Sequence, residues 1–295
     1  MAGRRAACED PAVTGAPRLP DDAGTHGSGT QDTYTHGHQE PVLRSHRWRT
    51  AENSAAYLLD RLRPGIDLLD VGCGPGTLTV DLARKTAPGR TVGIDVAPDA
   101  VAAAREHVEA SGVPVELLAA DLRSADLEPG SFDVVHAHQV LQHLRDPVDA
   151  LARMTALARP GGGIVAVRDA DYPAMAWAPH DDRLDRWRSA YLSVTRANGA
   201  AADAGRHLLR WALDAGLREV TYTTSTWTFA TPGERAWWAG LWADRTEASD
   251  FAGQAVAYGV ATPDGLADMA AGWRAWAADD GATFTVVHGE LVALV

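Results

Sequence analysis

The segment LLDVGCGPGT, residues 68–77, is the feature that most constrains the fold of this chain. Its first residues predict a short buried strand, and alternating glycines at positions 72, 74 and 76 predict a tight turn that leads into a helix. Glycine reaches backbone angles closed to other residues and lets a ligand approach the main chain. The helix that follows offers unpaired N–H groups and a partial positive charge. The segment therefore predicts an α/β fold with a ligand at the turn.

Two carboxylates follow at the ends of the next two predicted strands. Asp95 comes nineteen residues after Gly76, and Asp121 follows the predicted strand Val115–Ala119. The first can accept hydrogen bonds from both hydroxyls of a ribose, and the second can accept one from the exocyclic amine of adenine. Ligands of open α/β sheets bind at the carboxyl ends of parallel strands, so both are candidate nucleoside ligands. The alternative is that these aspartates only cap helices.

The rest of the chain alternates apolar runs with amphipathic segments. Strands are predicted at Ile66–Val71, Thr91–Ile94, Val115–Ala119, Phe132–Ala137, Ile164–Val167, Val220–Phe229 and Phe284–Val295. Helices are predicted at Thr50–Leu62, from the turn to Ala83, at Pro98–Ala110, after Asp146-Pro147, at Leu184–Arg196 and Arg206–Leu213, after the capping box Thr231–Glu234, and after Thr262-Pro263. Strands that are apolar on both faces and alternate with helices predict a parallel sheet covered on both sides.

Composition excludes several classes of function. A formal net charge of −12 repels phosphate backbones, so we expect no nucleic-acid partner. No apolar run approaches 18 residues, and none follows Arg4 and Arg5, so we expect neither a membrane span nor a secretory signal. Cys8 and Cys73 suggest no disulfide framework and no metal cluster, which makes a reducing cytoplasm the default. The alanine- and arginine-rich composition, with Lys85 the only lysine, is typical of a GC-rich bacterial genome.

Taken together, the motifs resemble those of class I S-adenosylmethionine (SAM) dependent methyltransferases. They are similar to the branch that includes ubiquinone and menaquinone C-methyltransferases and many small-molecule methyltransferases. The segments that carry the resemblance are LLDVGCGPG, VGIDVAPDAV, AADL, FDVVHAHQVLQHLRDP and ARPGGGIVAV, within residues 34–170. The resemblance implies a doubly wound, seven-stranded, mostly parallel sheet with an antiparallel last strand, for which the segment from Phe284 is the candidate.

The resemblance also implies a division of the chain and a set of cofactor contacts. We expect a disordered tail at residues 1–33 and a methyltransferase domain at 34–295, with an N-terminal lid segment at 34–63 and a tryptophan-rich helical insertion at about 230–280. The expected contacts are Asp70, Gly72, Gly74 and His138 with the methionine part of SAM, Asp95 with the ribose, Val96, Asp121 and Leu122 with adenine, and Tyr34 with the SAM carboxylate or the acceptor.

Two other ligands fit the sequence less well. The turn reads G-x-G-x-G and has Thr77 where the dinucleotide pattern G-x-G-x-x-G needs glycine, and no second mononucleotide-binding half follows, which argues against NAD. His36 and His38 lack further ligands in view, so no metal is expected.

Catalytic residues are marked weakly, because methyl transfer needs alignment and water exclusion and often one base. His136, His138 and His143 surround the end of the fourth predicted strand. His136 lies inside the strand and is predicted to be structural. His138 and His143 are the candidate catalytic residues. The alternative role for His143 is to bond a backbone carbonyl and fix the loop.

The acceptor site is less constrained still. Tryptophans recur on the two predicted helices of the insertion and follow the fifth strand, at Trp237, Trp238, Trp242, Trp273, Trp276 and Trp177. Indole faces can wall an apolar or cation-attracting pocket, or they can be core or a dimer contact. Asp169, Asp171 and Tyr172 end the fifth strand and can bind a polar group or cap a turn.

The sequence thus predicts transfer of the SAM methyl group to O, N or C of a small molecule, with an apolar or cationic acceptor favoured. One alternative is a non-methylating cyclisation or rearrangement on the same fold, and another is a non-catalytic SAM-binding module. The sequence leaves open whether the protein is a monomer or a homodimer.

Overall fold

One sheet of eight strands organises the part of the chain that the structure, a computed structural model, describes: Thr35 and residues 46–295. The strands are β1 Leu68–Val71, β2 Thr91–Asp95, β3 Glu116–Ala119, β4 Val134–His138, β5 Ile164–Ala170, β6 Ala176–Ala178, β7 Glu219–Phe229 and β8 Thr283–Leu294. Tyr34, His36, His38 and the predicted tail lie outside the described residues, so the division into tail and domain stays a prediction.

Ten α-helices lie among the described residues. They are α1 Ala51–Ser54, α2 Ala56–Leu59, α3 Thr77–Thr86, α4 Pro98–Ser111, α5 Pro147–Leu157, α6 Asp182–Ala197, α7 Ala204–Asp214, α8 Pro232–Ala248, α9 Asp250–Ala257 and α10 Pro263–Ala278. Two 3₁₀ turns, Leu141–His143 and Tyr172–Ala174, follow β4 and β5. No helix in this part of the chain is long and apolar enough to span a bilayer.

The sheet confirms the predicted doubly wound topology. Its strand order is β3-β2-β1-β4-β5-β8, with β1 to β5 parallel and β8 antiparallel to both β5 and β7. The predicted count of seven strands is one short, because β6 pairs with β8 beyond the end of β5. A three-residue strand has too few positions to show a periodic pattern.

Two apolar clusters cover the two faces of the sheet. Alternate residues of β1 and β4 point to opposite faces, so Leu69 and Val135 pack with α5 and α7, whereas Leu68 and Val134 pack with α2 and α3. The predicted helix Thr50–Leu62 is interrupted at Ala55, whose φ of −135° and ψ of 19° separate α1 from α2.

A third cluster is rich in tryptophan and joins α6 to the helices of the insertion. Trp187, Trp242, Trp273 and Trp276 are fully buried there. The ring of Trp187 meets those of Trp242 and Trp273 edge-on, with centroids 4.6 and 4.8 Å apart. These geometries are favourable for aromatic pairs, so the interpretation of Trp242, Trp273 and Trp276 as core is confirmed. The predicted capping box of Thr231 and Glu234 opens α8, whereas the short helix α9 was not predicted.

Helix α7 packs against β8 through a contact between two glycines. A Cβ atom at Gly289 would lie 2.0 Å from the carbonyl oxygen of Gly205, which also accepts a hydrogen bond from the Tyr222 hydroxyl at 2.9 Å. The strand and the helix therefore approach as closely as their backbones allow.

We predict that Gly289→Ala lowers the free energy of unfolding by about 1–3 kcal/mol, because the added methyl forces α7 away from β8. The measurement is urea denaturation. Gly253→Ala in α9 is the matched control: nothing lies within 4 Å of its Cβ position, so it should raise the free energy of unfolding by about 0.5–1 kcal/mol. Equal effects of the two variants would contradict the glycine contact.

Candidate active site

The buried carboxylate of Asp70 holds the glycine turn in place. Its Oδ2 accepts a hydrogen bond from the Thr79 hydroxyl at 2.6 Å, and its Oδ1 lies 2.8 Å from Nδ1 of His136. Thr79 belongs to α3 and His136 to β4, so one side chain ties β1 to both neighbours. His136 is structural, as predicted. Both oxygens of Asp70 are engaged within the fold, so Asp70 supports the turn.

The end of β2 faces the glycine turn. Asp95 accepts hydrogen bonds from the backbone N–H groups of Gly74 and Ala97, each at 2.9 Å. The next residue, Val96, is 59% exposed although it is apolar. A carboxylate at the turn beside an exposed apolar side chain suits a ribose and the base attached to it.

Asp121 lies at the same edge but is already paired. Its carboxylate receives two hydrogen bonds from the Arg123 guanidinium, the shorter at 2.6 Å. These bonds hold the pKa of Asp121 below its usual value. The following residue, Leu122, is buried in the core beneath. A ligand that bonds Asp121 must therefore share or displace Arg123.

Two adjoining cavities lie at the carboxyl ends of the strands. The turn cavity is lined by His46, Arg49, Asp70, Gly72, Cys73, Gly74, Pro75, Thr77, Leu78 and His138. The aromatic cavity is lined by His46, Trp48, Arg49, Gln139, Gln142, His143, Ala170, Tyr172, Met175, Trp227, Trp237, Trp238, Trp242, Arg245 and Val286. His46 and Arg49 line both, so two ligands bound in them would meet there.

The described start of the chain covers this junction. The Thr77 hydroxyl donates to the carbonyl of His46 at 3.0 Å. The ring of Trp48 packs edge-on against Trp227, with centroids 5.1 Å apart, and lies 5.2 Å from Trp237. Residues 46–49 thus contribute to both cavities. That the whole segment 34–63 acts as a lid stays a prediction.

Comparisons with known proteins agree with this geometry. A family described as "Methyltransferase domain" matches residues 68–162, from β1 to the turn before β5. An uncharacterized methyltransferase of Schizosaccharomyces pombe is 28% identical over 278 residues, which cover 88% of this chain and 95% of that protein. A ubiquinone biosynthesis O-methyltransferase of Methylococcus capsulatus is 41% identical over 101 residues, which cover 34% of this chain and 42% of that protein.

Among solved structures, the chain is similar to phosphoethanolamine N-methyltransferase 2 of Haemonchus contortus in complex with phosphomonomethylethanolamine and S-adenosylhomocysteine. The TM-score is 0.51 at 18% identity, over 81% of this chain and 51% of that chain. The fold is therefore shared. The family match covers strands β1 to β4 and the glycine turn, and the shared fold agrees with it. This match decides which kind of domain the chain contains. The chain carries a SAM-dependent methyltransferase domain of the class I fold.

The turn cavity of the methyltransferase fits SAM. His138 is 4% exposed, and neither of its ring nitrogens has a hydrogen-bond partner among the described residues. Buried polar atoms are normally bonded, so this ring is suited to a polar ligand group such as the methionine end of SAM. At Gly74 an added Cβ would lie 3.4 Å from Nδ1 of His46 and would project into the cavity. His138 and Gly74 thus leave room and polar contacts for the cofactor.

Gln139, which sequence reasoning missed, organises the junction of the cavities. Its φ of 54° lies in the left-handed region, where a glutamine is uncommon. Its side-chain oxygen accepts a hydrogen bond from Nη2 of Arg49, and its nitrogen lies 3.0 Å from Nε2 of His288. Strain of this kind often marks functional sites. The only sequence signal is its position directly after the fourth strand.

The hydrogen bonds of His143 fix its protonation. The backbone N–H of Ala170 donates to Oε1 of Gln142 at 3.1 Å, so the Gln142 amide nitrogen faces Nε2 of His143 at 3.0 Å. Nε2 must then accept, and the neutral ring carries its proton on Nδ1. Burial, with the charges of Arg49 and Arg245, lowers the pKa of His143 to about 3. This bonding is suited to fixing the loop, here through the side-chain amide of Gln142.

The residues that end β5 have divided roles. Asp169 is buried below the aromatic cavity, where burial raises its pKa to about 7. Asp171 caps the following 3₁₀ turn and pairs with Arg206 at 2.7 Å, so its capping role is confirmed. Tyr172 lines the aromatic cavity. Trp177 instead stacks on Phe284 with centroids 5.5 Å apart and does not line the cavity, so its prediction as a wall is wrong.

We predict that the His143 ring stays neutral, with its proton on Nδ1, from about pH 8 down to about pH 5. The measurement is ¹⁵N NMR of the imidazole, assigned with the His143→Gln variant. The folded pKa lies below the usual 6.5, so acid protonates the unfolded chain first. The stability that this residue contributes above about pH 6.5 is therefore lost as the pH falls. Uptake of a second proton above about pH 6 would contradict the assignment.

Proposed function

We propose that this methyltransferase transfers the methyl group of SAM to O, N or C of a small molecule held in the aromatic cavity. The observation that carries the proposal is the junction of the two cavities at His46 and Arg49. A cofactor in the turn cavity would present its reactive end there, and an acceptor in the aromatic cavity would meet it. Catalysis by alignment requires this kind of adjacency.

The cofactor contacts follow the sequence prediction with adjustments at Asp70, which supports the turn, at Leu122 and at Asp121. Asp95 accepts from the ribose hydroxyls, Val96 packs against adenine, and Leu122, buried in the core, supports this site from beneath. Asp121 bonds the adenine amine only if Arg123 shares its carboxylate, which costs little because exposed ion pairs are weak. Gly72 and Gly74 let the methionine part approach the main chain, and His138 bonds its polar end. The predicted contact of Tyr34 with the SAM carboxylate or the acceptor stays a prediction.

The acceptor site depends on this chain's own residues. SAM supplies a methyl group already activated by a sulfonium. The aromatic rings of Trp48, Trp227 and Tyr172 exclude water and align a flat acceptor. Of the two predicted catalytic histidines, His143 orients the loop through Gln142. His138 adjoins the cofactor, but burial lowers its pKa well below the usual value, which makes it a weak base.

Two alternatives predict different products. A non-methylating cyclisation or rearrangement would bind SAM without forming S-adenosylhomocysteine, and so would a non-catalytic binding module. The engaged Asp70 and Asp95 support an intact cofactor site. The similar ubiquinone biosynthesis O-methyltransferase suggests an oxygen acceptor, but the match covers 34% of this chain. We also propose that the enzyme acts in the cytoplasm and does not bind nucleic acid, which the net charge of −12 supports.

We predict that Asp95→Ala weakens SAM binding by about 1.5–3 kcal/mol, because it removes hydrogen bonds to a charged group. Isothermal titration calorimetry on the purified protein measures the affinity, and circular dichroism checks the fold. Asp95→Asn keeps the shape and removes the charge, so it should have a smaller effect.

Asp126→Ala is the control, because Asp126 is exposed and lies outside both cavities. It should leave the affinity for SAM unchanged. An Asp95→Ala protein that is folded and binds SAM as tightly as the wild type would refute the ribose contact.

A further inference from the structure

The aromatic cavity combines flat apolar walls with positive charge. Six of its lining residues are aromatic: Trp48, Tyr172, Trp227, Trp237, Trp238 and Trp242. Arg49 and Arg245 also line it, and its described lining includes no aspartate or glutamate. The chain as a whole carries a net charge of −12, so this cavity differs in sign from the rest of the protein. Of the apolar and cationic acceptors that the sequence favoured, the cationic kind does not suit this cavity.

Arg245 carries its charge at a desolvated position. Arg245 is 5% exposed, and its guanidinium carbon lies 5.1 Å from the ring centroid of Trp242. Water screens a charge less at a buried position, so its attraction for an anion in the same cavity is stronger than at the surface.

Arg49 is held at the junction by a chain of side chains. Nη2 of Arg49 donates to Gln139, and Gln139 contacts His288 on β8. Gln139 has a strained backbone, and its side chain contacts both Arg49 and His288. The guanidinium is thus positioned between the two cavities, where the reacting atoms would meet.

The two guanidiniums act on the ionisable groups around them. Both contribute to the lowered pKa of His143, after burial. Both also lower the pKa of Tyr172, although burial raises it overall. The two charges therefore favour the anionic form of an acidic hydroxyl, whereas burial opposes it.

Neither of the two predicted catalytic histidines is suited to take the proton of the acceptor. Nε2 of His143 is engaged by Gln142, and its Nδ1 carries the proton. His138 lies in the turn cavity, with a strongly lowered pKa. A general base works best when its pKa is near the operating pH, so we expect the charges of Arg49 and Arg245, and not these two rings, to assist ionisation of the acceptor.

We infer that the acceptor is a planar conjugated molecule with an acidic oxygen, a phenol or an enol, and that Arg49 and Arg245 hold this oxygen as the anion. The inference rests on the proposed function, because it places the acceptor in the aromatic cavity. The anionic oxygen forms a bond to the methyl carbon, the carbon–sulfur bond of SAM breaks, and its electron pair stays on sulfur. The proton of the acceptor passes to bulk water before transfer.

The test uses three naphthalene probes of the same shape, titrated in the presence of saturating S-adenosylhomocysteine so that no turnover occurs. The probes are 2-naphthoate, 2-naphthol and 2-naphthylmethylammonium. We expect 2-naphthoate to bind about tenfold or more tightly than the cation. We also expect the pKa of bound 2-naphthol, read from the absorbance of the naphtholate, to fall by about one unit or more.

Variants of Arg245 assign the effect to the cavity. Arg245→Gln should remove most of the preference for the anion, and Arg245→Lys should keep part of it. Arg210→Gln is the control, since it changes the net charge equally at a side chain that is 75% exposed, and it should change nothing.

The affinity for S-adenosylhomocysteine separates the possible failures. If the wild type does not bind it, the cofactor site and the proposed function fail. If it binds but the cation binds as tightly as 2-naphthoate, or the pKa of 2-naphthol is unshifted, only the inference about the acceptor is overturned. A preference for the anion that survives in folded Arg245→Gln and Arg49→Gln proteins would also overturn it.

Discussion

The site depends on one buried carboxylate. Asp70 joins β1 to α3 through Thr79 and to β4 through His136, and it is 2% exposed. A buried carboxylate is costly unless its oxygens are bonded, so the three elements are held at a fixed separation. The turn that begins at Gly72 and the ring of His138, two residues beyond His136 on the same face of β4, take their positions from this arrangement. The cofactor site is thus built on the most buried part of the sheet.

The acceptor side is built differently, from segments far apart in the chain. The described start of the chain contributes Trp48 and Arg49, the loop after β4 contributes Gln139, and the insertion contributes Trp238 and Arg245. The same insertion fills the third apolar cluster, so one set of tryptophans supports the fold and walls the cavity. Changes in these segments can alter the acceptor without disturbing the glycine turn. This separation is how one fold carries many different substrates.

Much of the fold could be predicted because its signals are local. The glycine turn, the apolar strands and the capping box of Thr231 each depend on a few adjacent residues. The placement of Asp95 at the turn also followed, because strand ends meet at one edge of a parallel sheet. The break at Ala55 and the strand β6 could not be predicted, since each is set by packing against distant parts of the chain.

The chemistry of the site was harder to predict for the same reason. The pairing of Asp121 with Arg123, the tautomer of His143 and the left-handed backbone of Gln139 arise from contacts that no sequence pattern marks. The tryptophans were ambiguous because one indole can be core on one face and cavity wall on the other. The charge of the cavity could not be predicted, since the total charge of a chain does not fix the charge of one cleft.

The central claim is that the cofactor lies against the glycine turn with its reactive end at the junction of the two cavities. A crystal structure of the protein with S-adenosylhomocysteine tests this most directly. The account predicts ribose hydroxyls on Asp95, adenine over Val96, and the sulfur at the border marked by His138 and Arg49. A nucleoside bound elsewhere, or a sulfur directed away from the aromatic cavity, would contradict it.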